Sequence, residues 1–364
     1  WIVFSMSLLF LWDSWQRYNG KPSMFGSPPA EQTQAQAGAN GAAPPVPAAQ
    51  ADASVPSAPA SVAASSSVPG EGAAAAGQPA MEPLKLASDV LALDIDPVGG
   101  QVRRAELLEH KASEDSGATG NVVLLEQVPG RTYIAQSGLV GAPQGSSFPT
   151  HKTVFSVLEQ GAAPGGGQQL KLAAESGGVR LVRTYVLKPG SYTLDVADEV
   201  TNVGAEPVRR VLYMQLTRDG SNPPGDSKFY STYTGPVVYT DAEKFQKVSF
   251  SDIDKGKANY AKSAADGWAG IIQHYFVAAW IPQQGVQREY YARKVDNNLY
   301  SVGIKEPLGT LAPNATTSAE SELLIGPQKQ RMLEAIAPGL DLTVDYGWLT
   351  VIAKPIYWLL ENLH

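Results

Sequence analysis

The chain has 364 residues, 43% of them hydrophobic and 17% charged, with a net charge of −7. That length supports a sizeable core and allows two domains, while the negative charge and the lack of any basic, aromatic-interleaved stripe exclude a nucleic-acid binder. With no cysteine there is no disulfide, thiolate metal site or cysteine nucleophile, so an extracytoplasmic chain of this kind rests on its core for stability.

The first apolar run, Trp1-Ile2-Val3-Phe4-Ser5-Met6-Ser7-Leu8-Leu9-Phe10-Leu11-Trp12, stops at Asp13 and is too short to span a bilayer. Two readings compete, a signal-peptide core and the outer end of a transmembrane helix. No small-residue cleavage pattern follows. Trp12, Trp15 and Tyr18 instead suit an aromatic belt at an outer interface, which favours a partial signal anchor over residues 1–18. Residues 19–83 turn to Ala, Pro, Ser, Gly and Gln and read as a disordered tether, since they carry too little apolar surface to offset their ordering entropy.

The folded region starts near Leu84. Val90 to Ile95, the turn Pro97-Val98-Gly99-Gly100 and Gln101 to Leu107 read as strand, turn and returning strand. Further strands are predicted at Val122 to Glu126, Thr132 to Ser137, Thr153 to Leu158, Leu170 to Ala174, Val179 to Leu187 and Tyr192 to Thr201. In the last, Tyr192, Leu194, Val196 and Val200 share one face and Thr193, Asp195, Glu199 and Thr201 the other. Val208 to Thr217, Gly270 to Ile281, Gln287 to Lys294, Leu299 to Ile304 and Thr316 to Ile325 continue the series. Many short strands without helices between them predict one all-β antiparallel sandwich, residues 84–339. Helical pattern enters only at Gln330 to Ala337, stopped by Pro338-Gly339.

Residues 340–364 close the chain. Trp348, Ile352, Ile356, Leu359 and Leu363 recur at helical spacing, with Thr350, Lys354 and Glu361 opposite. About 17 residues make roughly 25 Å of helix, bent at Pro355. That is short for a span, so the segment reads as a helix lying in the interface, with an ordinary amphipathic helix on its own domain as the alternative. The membrane-contact residues on this reading are Trp348, Leu349, Ile352, Ile356, Leu359 and Leu363.

Nothing in the sequence asks for catalysis. His110, His151, His274 and His364 are scattered, without a second ligand at helical or hairpin spacing, so no metal is expected. His274 reads as a strand residue satisfied by a neighbour. Asp252-Ile253-Asp254-Lys255-Gly256 has Ser263 where a calcium loop needs its bidentate Glu, and is taken as a polar turn. Asp94 and Asp96 share a strand face beside a Pro-Gly-Gly turn and read as turn and edge residues. Gly165-Gly166-Gly167 leads into a strand without a following Lys-Ser or Lys-Thr, so it is no phosphate cradle. No catalytic, cofactor-binding or metal-ligating residue is assigned.

Three stretches carry a resemblance: Gly267-Trp268-Ala269-Gly270-Ile271-Ile272-Gln273-His274-Tyr275-Phe276-Val277-Ala278-Ala279-Trp280-Ile281-Pro282, Ile325-Gly326-Pro327-Gln328, and Ala337-Pro338-Gly339 running on to Leu349. With Tyr239-Thr240-Asp241-Ala242-Glu243-Lys244-Phe245 and the anchor-plus-tether layout, the chain resembles the YidC membrane protein insertase family of Gram-negative bacteria.

The resemblance implies a periplasmic β super-sandwich, galactose-mutarotase-like, with short C-terminal helices. It implies an inner-membrane protein, multi-pass in full, whose first helix leads to this domain and then to an interfacial helix and a five-helix insertase core. The expected partners are nascent membrane proteins, the lipid bilayer and the Sec translocon with its subunits SecD and SecF. The family's hydrophilic groove and its positive residue belong to the part expected after residue 364, so no groove residue carries over. The alternatives are a membrane-tethered docking module and a periplasmic carbohydrate-binding domain without insertase activity; a mutarotase-like enzyme would need a His and a Glu converging in a cleft.

Overall fold

Period-two alternation puts one face of a strand in the core and the other outside, and the chain repeats that pattern through two stacked sheets. A computed structural model of the protein describes residue 68 and residues 81–112, 120–223 and 233–344, all within the compact unit Ser61–His364.

The strands in chain order are β1 Leu84–Ala87, β2 Leu91–Asp96, β3 Gln101–Lys111, β4 Asn121–Val128, β5 Arg131–Val140 and β6 Ser156–Ala162. Then come β7 Gln168–Ser176, β8 Val179–Leu187, β9 Thr193–Asn202, β10 Val208–Asp219, β11 Thr234–Thr240 and β12 Lys244–Lys247. The last six are β13 Ser263–Ala264, β14 Trp268–Gln273, β15 Phe276–Pro282, β16 Arg288–Asp296, β17 Leu299–Leu311 and β18 Thr316–Pro327. The first sheet runs β1-β2-β3-β4-β5-β10-β17-β16-β13 and the second β12-β11-β14-β15-β18-β9-β8-β7-β6. The neighbours along each pair antiparallel, as in Val211↔Val140 of β10 and β5 and Leu194↔Leu323 of β9 and β18. An all-β antiparallel sandwich is what the alternation predicted.

Strand β9 shows why. Leu194, Val196 and Val200 turn into the core while Asp195 and Glu199 stay outside. Fully burying one such aliphatic side chain contributes about 1.5–3 kcal/mol. The exception in the inward row is Asp198, 1% exposed, which lies opposite Arg183 of β8, 0% exposed. The guanidinium grips both carboxylate oxygens, Nε to Oδ1 at 2.7 Å and Nη2 to Oδ2 at 3.1 Å. Its Nη1 reaches Gly99 O at 3.5 Å, and the Tyr185 hydroxyl donates to Gly100 O. A buried ion pair therefore staples the Pro97–Gly100 turn of the first sheet onto the second.

The outward face of the first sheet is also covered. Ile134, Gln136, Gln215, Thr217 and Ser301 point away from the core and are all buried. Their polar groups bond along the row, Gln215 Nε2 and Thr217 Oγ1 donating to Gln136 Oε1 at 2.8 and 3.0 Å. At its edge His151 Nδ1 lies 2.6 Å from the Tyr213 hydroxyl.

Burial, helped by the charges of Lys152 and Arg293, pushes the His151 imidazole from 6.5 down to about 4. Between pH 6.5 and 4 the unfolded chain takes up a proton that the folded chain refuses, so stability falls as pH drops through that window. The expected loss is about 3 kcal/mol. Urea midpoints at pH 7 and pH 4 should differ markedly less in His151→Gln than in the native chain, and equal differences would contradict this origin.

Two local readings are corrected. Gly270 to Ile281 is not one strand but the hairpin β14–β15, turning at His274-Tyr275. His274 is accordingly a turn residue with φ 53°, and Tyr275 at the tip is 73% exposed. The Asp252–Asp254 stretch is a short helix, α1 Phe250–Asp254.

Candidate functional site

β14 and β15 are apolar on both faces because both faces are covered. Ala269, Ile271, Ala278 and Trp280 face the core, where Trp280 Nε1 donates to Gln215 O of the first sheet at 3.0 Å. Trp268, Ile272, Val277 and Ala279 point the other way, yet are buried as well. That outer face carries the C-terminal segment of the domain: helix α2, Gln330–Ile336, followed by a single 3-10 turn, Leu340–Thr343. Leu333, Ala337, Leu340 and Thr343 are its buried residues.

The stretches that carry the family resemblance converge here. Trp268 stacks on Tyr239 of β11, centroids 5.9 Å apart and planes 10° off parallel, with Phe245 of β12 at 6.1 Å. Its indole N–H donates to Pro338 O at 3.0 Å. Gly339 takes φ +74° and lies so close to the Tyr239 ring that a Cβ there would overlap it. Gly267, φ +90°, meets the Tyr239 carbonyl in the same way. At the other end Gln328 locks the start of α2 onto the hairpin, its backbone N–H donating to Tyr275 O at 2.7 Å and its side chain to Phe276 O at 3.1 Å.

The seam pins the last described turns to the second sheet. Thr343 Oγ1 closes the 3-10 turn on Leu340 O at 2.6 Å, and Val344, the last described residue, packs against the core. The sequence-predicted membrane-contact residues Trp348, Leu349, Ile352, Ile356, Leu359 and Leu363 lie beyond Val344, outside the described residues. The anchor over residues 1–18 lies outside them too, as does the tether except for Val68 and its last residues, from Met81. Among the described residues no helix is long and apolar enough to cross a membrane.

Beside α2 the same outer face opens into a groove of about 520 Å³. Val186, Ala197, Ile281 and Ile336 supply apolar lining, and Lys188, Asp195, Glu320 and Glu322 the charge. Lys188 Nζ pairs with Asp195 at 2.6 Å. Burial first, then the Asp195 carboxylate opposite, raises the Glu322 carboxyl above its ordinary range. The described lining contains no histidine, so the groove does not assemble the His and Glu of a sugar-opening site.

The remaining candidates are tied up locally. His110 sits by the Tyr192 hydroxyl at 3.5 Å, far along the chain from His151 beside Tyr213. Asp94 pairs with Lys85 at 3.5 Å, and Asp96 accepts from Val98 N and Arg103. Ser249 caps α1 through Asp252, while Asp254 holds Lys294 at 3.0 Å. Gly165–Gly167 make the β6–β7 turn. Among the described residues no group of three His, Cys, Asp or Glu could hold a metal ion.

Residues 83–359 match the family described as the YidC periplasmic domain. A "Membrane protein insertase YidC" from Cupriavidus metallidurans is 49% identical over 368 residues, covering 100% of this chain and 63% of that protein. Those from Janthinobacterium sp. and Bordetella pertussis are 44% and 46% identical, again over 100% of this chain and 63% and 64% of theirs. The chain thus spans less than two thirds of the length of these relatives. Among solved structures, a galactose mutarotase related enzyme from Lactobacillus acidophilus overlaps 67% of this chain and 97% of its own, at 11% identity and a TM-score of 0.41. A putative aldose 1-epimerase from Escherichia coli K12 overlaps 67% and 99%, at 16% and 0.38. Likeness at this level bears on neither sugar binding nor catalysis.

Proposed function

Because the chain belongs to the YidC membrane protein insertase family, through its periplasmic domain, we propose that it is the periplasmic part of an insertase and chaperone. The full protein helps integral inner-membrane proteins of a Gram-negative bacterium insert, fold and assemble, alone or beside the Sec translocon with SecD and SecF. It is multi-pass, and its work is not enzymatic: hydrophobic segments are given a route from water into lipid. Its partners are nascent membrane proteins and the bilayer.

The observation that carries this reading is the seam. A domain built only to float on a tether has no use for such a clamp, whereas Trp268, Pro338 and Gly339 pin the last described turns, just ahead in sequence of the amphipathic residues 348–363. On this reading Trp348, Leu349, Ile352, Ile356, Leu359 and Leu363 seat that helix in the periplasmic leaflet and so set the height of the insertase core. The alternative, a tethered docking or carbohydrate-binding module, predicts no insertion at all.

Proteoliposomes separate the two. Full-length protein in vesicles without Sec should protect a short two-span membrane protein from external protease, and Ile352→Asp with Ile356→Asp should cut the protected fraction by more than half. Protection no greater than in empty vesicles would sink the insertase reading. Full activity of the double variant would sink only the seating of the helix.

A further inference from the structure

A residue far upstream of the first strand is held on the outward face of the first sheet. Val68, inside the stretch read as tether, is 3% exposed. It packs with Val140 of β5, Tyr213 of β10 and Tyr291 of β16 in a cluster separate from the main core. Its carbonyl accepts from Arg293 Nη1 at 2.9 Å, and that guanidinium lies 5.6 Å from the centre of the Tyr291 ring.

The sequence explains why the contact falls on this residue. Between Ala63 and Ala80 every side chain except that of Val68 is small, polar, charged or proline, so it alone can fill an apolar seat. Pro69 follows, which biases Val68 towards extended backbone and lowers the entropy lost on docking. Two aromatic rings with a cation that takes a main-chain carbonyl suit an extended, proline-containing peptide.

We infer that this face is a docking seat for an extended segment bearing a valine and that the chain's own Val68 occupies it. The tether is then stitched to the outer face of the first sheet and leaves the domain there, not at β1. The tether repeats the Ser-Val-Pro around Val68 at Ser54-Val55-Pro56, a rival occupant that the test must separate.

A glutamate-specific endopeptidase reads the seat directly, since Glu31 and Glu71 both lie in the tether and Glu71 directly follows Pro69-Gly70. The full-length protein in detergent is digested and each cut followed by mass spectrometry, normalised to a synthetic peptide of the same local sequence. Cleavage at Glu71 should be at least tenfold slower than at Glu31. Val68→Lys, which brings a second cation to Arg293 in an apolar seat, should raise the Glu71 rate to that of Glu31, and Arg293→Ala should raise it severalfold. Val55→Lys should leave Glu71 protected. Equal rates at Glu31 and Glu71 in the native protein, protection that survives Val68→Lys, or release by Val55→Lys instead would each overturn the proposal.

Discussion

Replacing Asp198 with alanine is expected to cost the domain about 3–5 kcal/mol, read as a fall in urea midpoint at unchanged slope. Arg183 is completely buried, and without its carboxylate partner at 2.7 Å its charge would stay in the sandwich interior. Coulomb attraction is strong in such surroundings, but so is the penalty for removing either charge from water, and breaking one side leaves only the penalty. Asp198→Asn, which keeps an acceptor and the volume, should cost less. The joint replacement Arg183→Met with Asp198→Leu should recover most of the loss, because it removes both charges and keeps apolar volume. A single Asp198→Ala variant within about 1 kcal/mol of the native chain would show that the pair is not held as the geometry implies. Gly99 and Gly100 then supply a second readout: with Arg183 displaced, the turn that accepts from Arg183 and Tyr185 should lose protection from hydrogen exchange.

The second large effect is expected at Trp268, where alanine should cost about 3–5 kcal/mol through the cavity left under the C-terminal segment. Its distribution matters more than its size. The indole stacks on Tyr239 and bonds Pro338 O, so the amides of Leu340 and Val344, which close the last turns on Ala337 O and Asp341 O, should exchange faster. Amides in β8 and β9 should change only by the global loss. Trp268→Phe keeps an aromatic ring but leaves the Pro338 carbonyl without its donor, a loss of about 1–2 kcal/mol confined to the same segment. Unchanged exchange at Leu340 and Val344 in Trp268→Ala would rule out the clamp.

Much of this architecture was readable from alternation. The sequence pattern marks β8 to its ends and sorts β9 into inward and outward faces, because one face of each meets the core and the other meets water. The stop of α2 at Pro338-Gly339 was equally plain. What escaped was whatever the second covering layer hides. β14 and β15 merged into one apolar run because the C-terminal segment buries their outer face, and the turn at His274-Tyr275 has neither Gly nor Asn to mark it. β11 escaped too: Pro236 stands inside it, and Gly235 ahead of that reads as a turn. The seam itself was visible only as a resemblance. Nothing in residue spacing brings Tyr239, Trp268 and Gly339 together, since that depends on which strands become neighbours. Asp198 is illegible in the sequence for a related reason: a carboxylate in an inward row makes sense only with Arg183 opposite it.

The strand order of the second sheet has a consequence in time. β18 lies between β15 and β9, so the last of the described strands to be made is the one that joins the two halves. Thr201 meets Thr316, 115 positions later in the chain. At a synthesis rate of about 5–20 residues per second, β9 must wait roughly 6–23 seconds for its partner with one backbone edge open. Throughout that interval the second sheet stays in two halves, with the β9 edge waiting for β18.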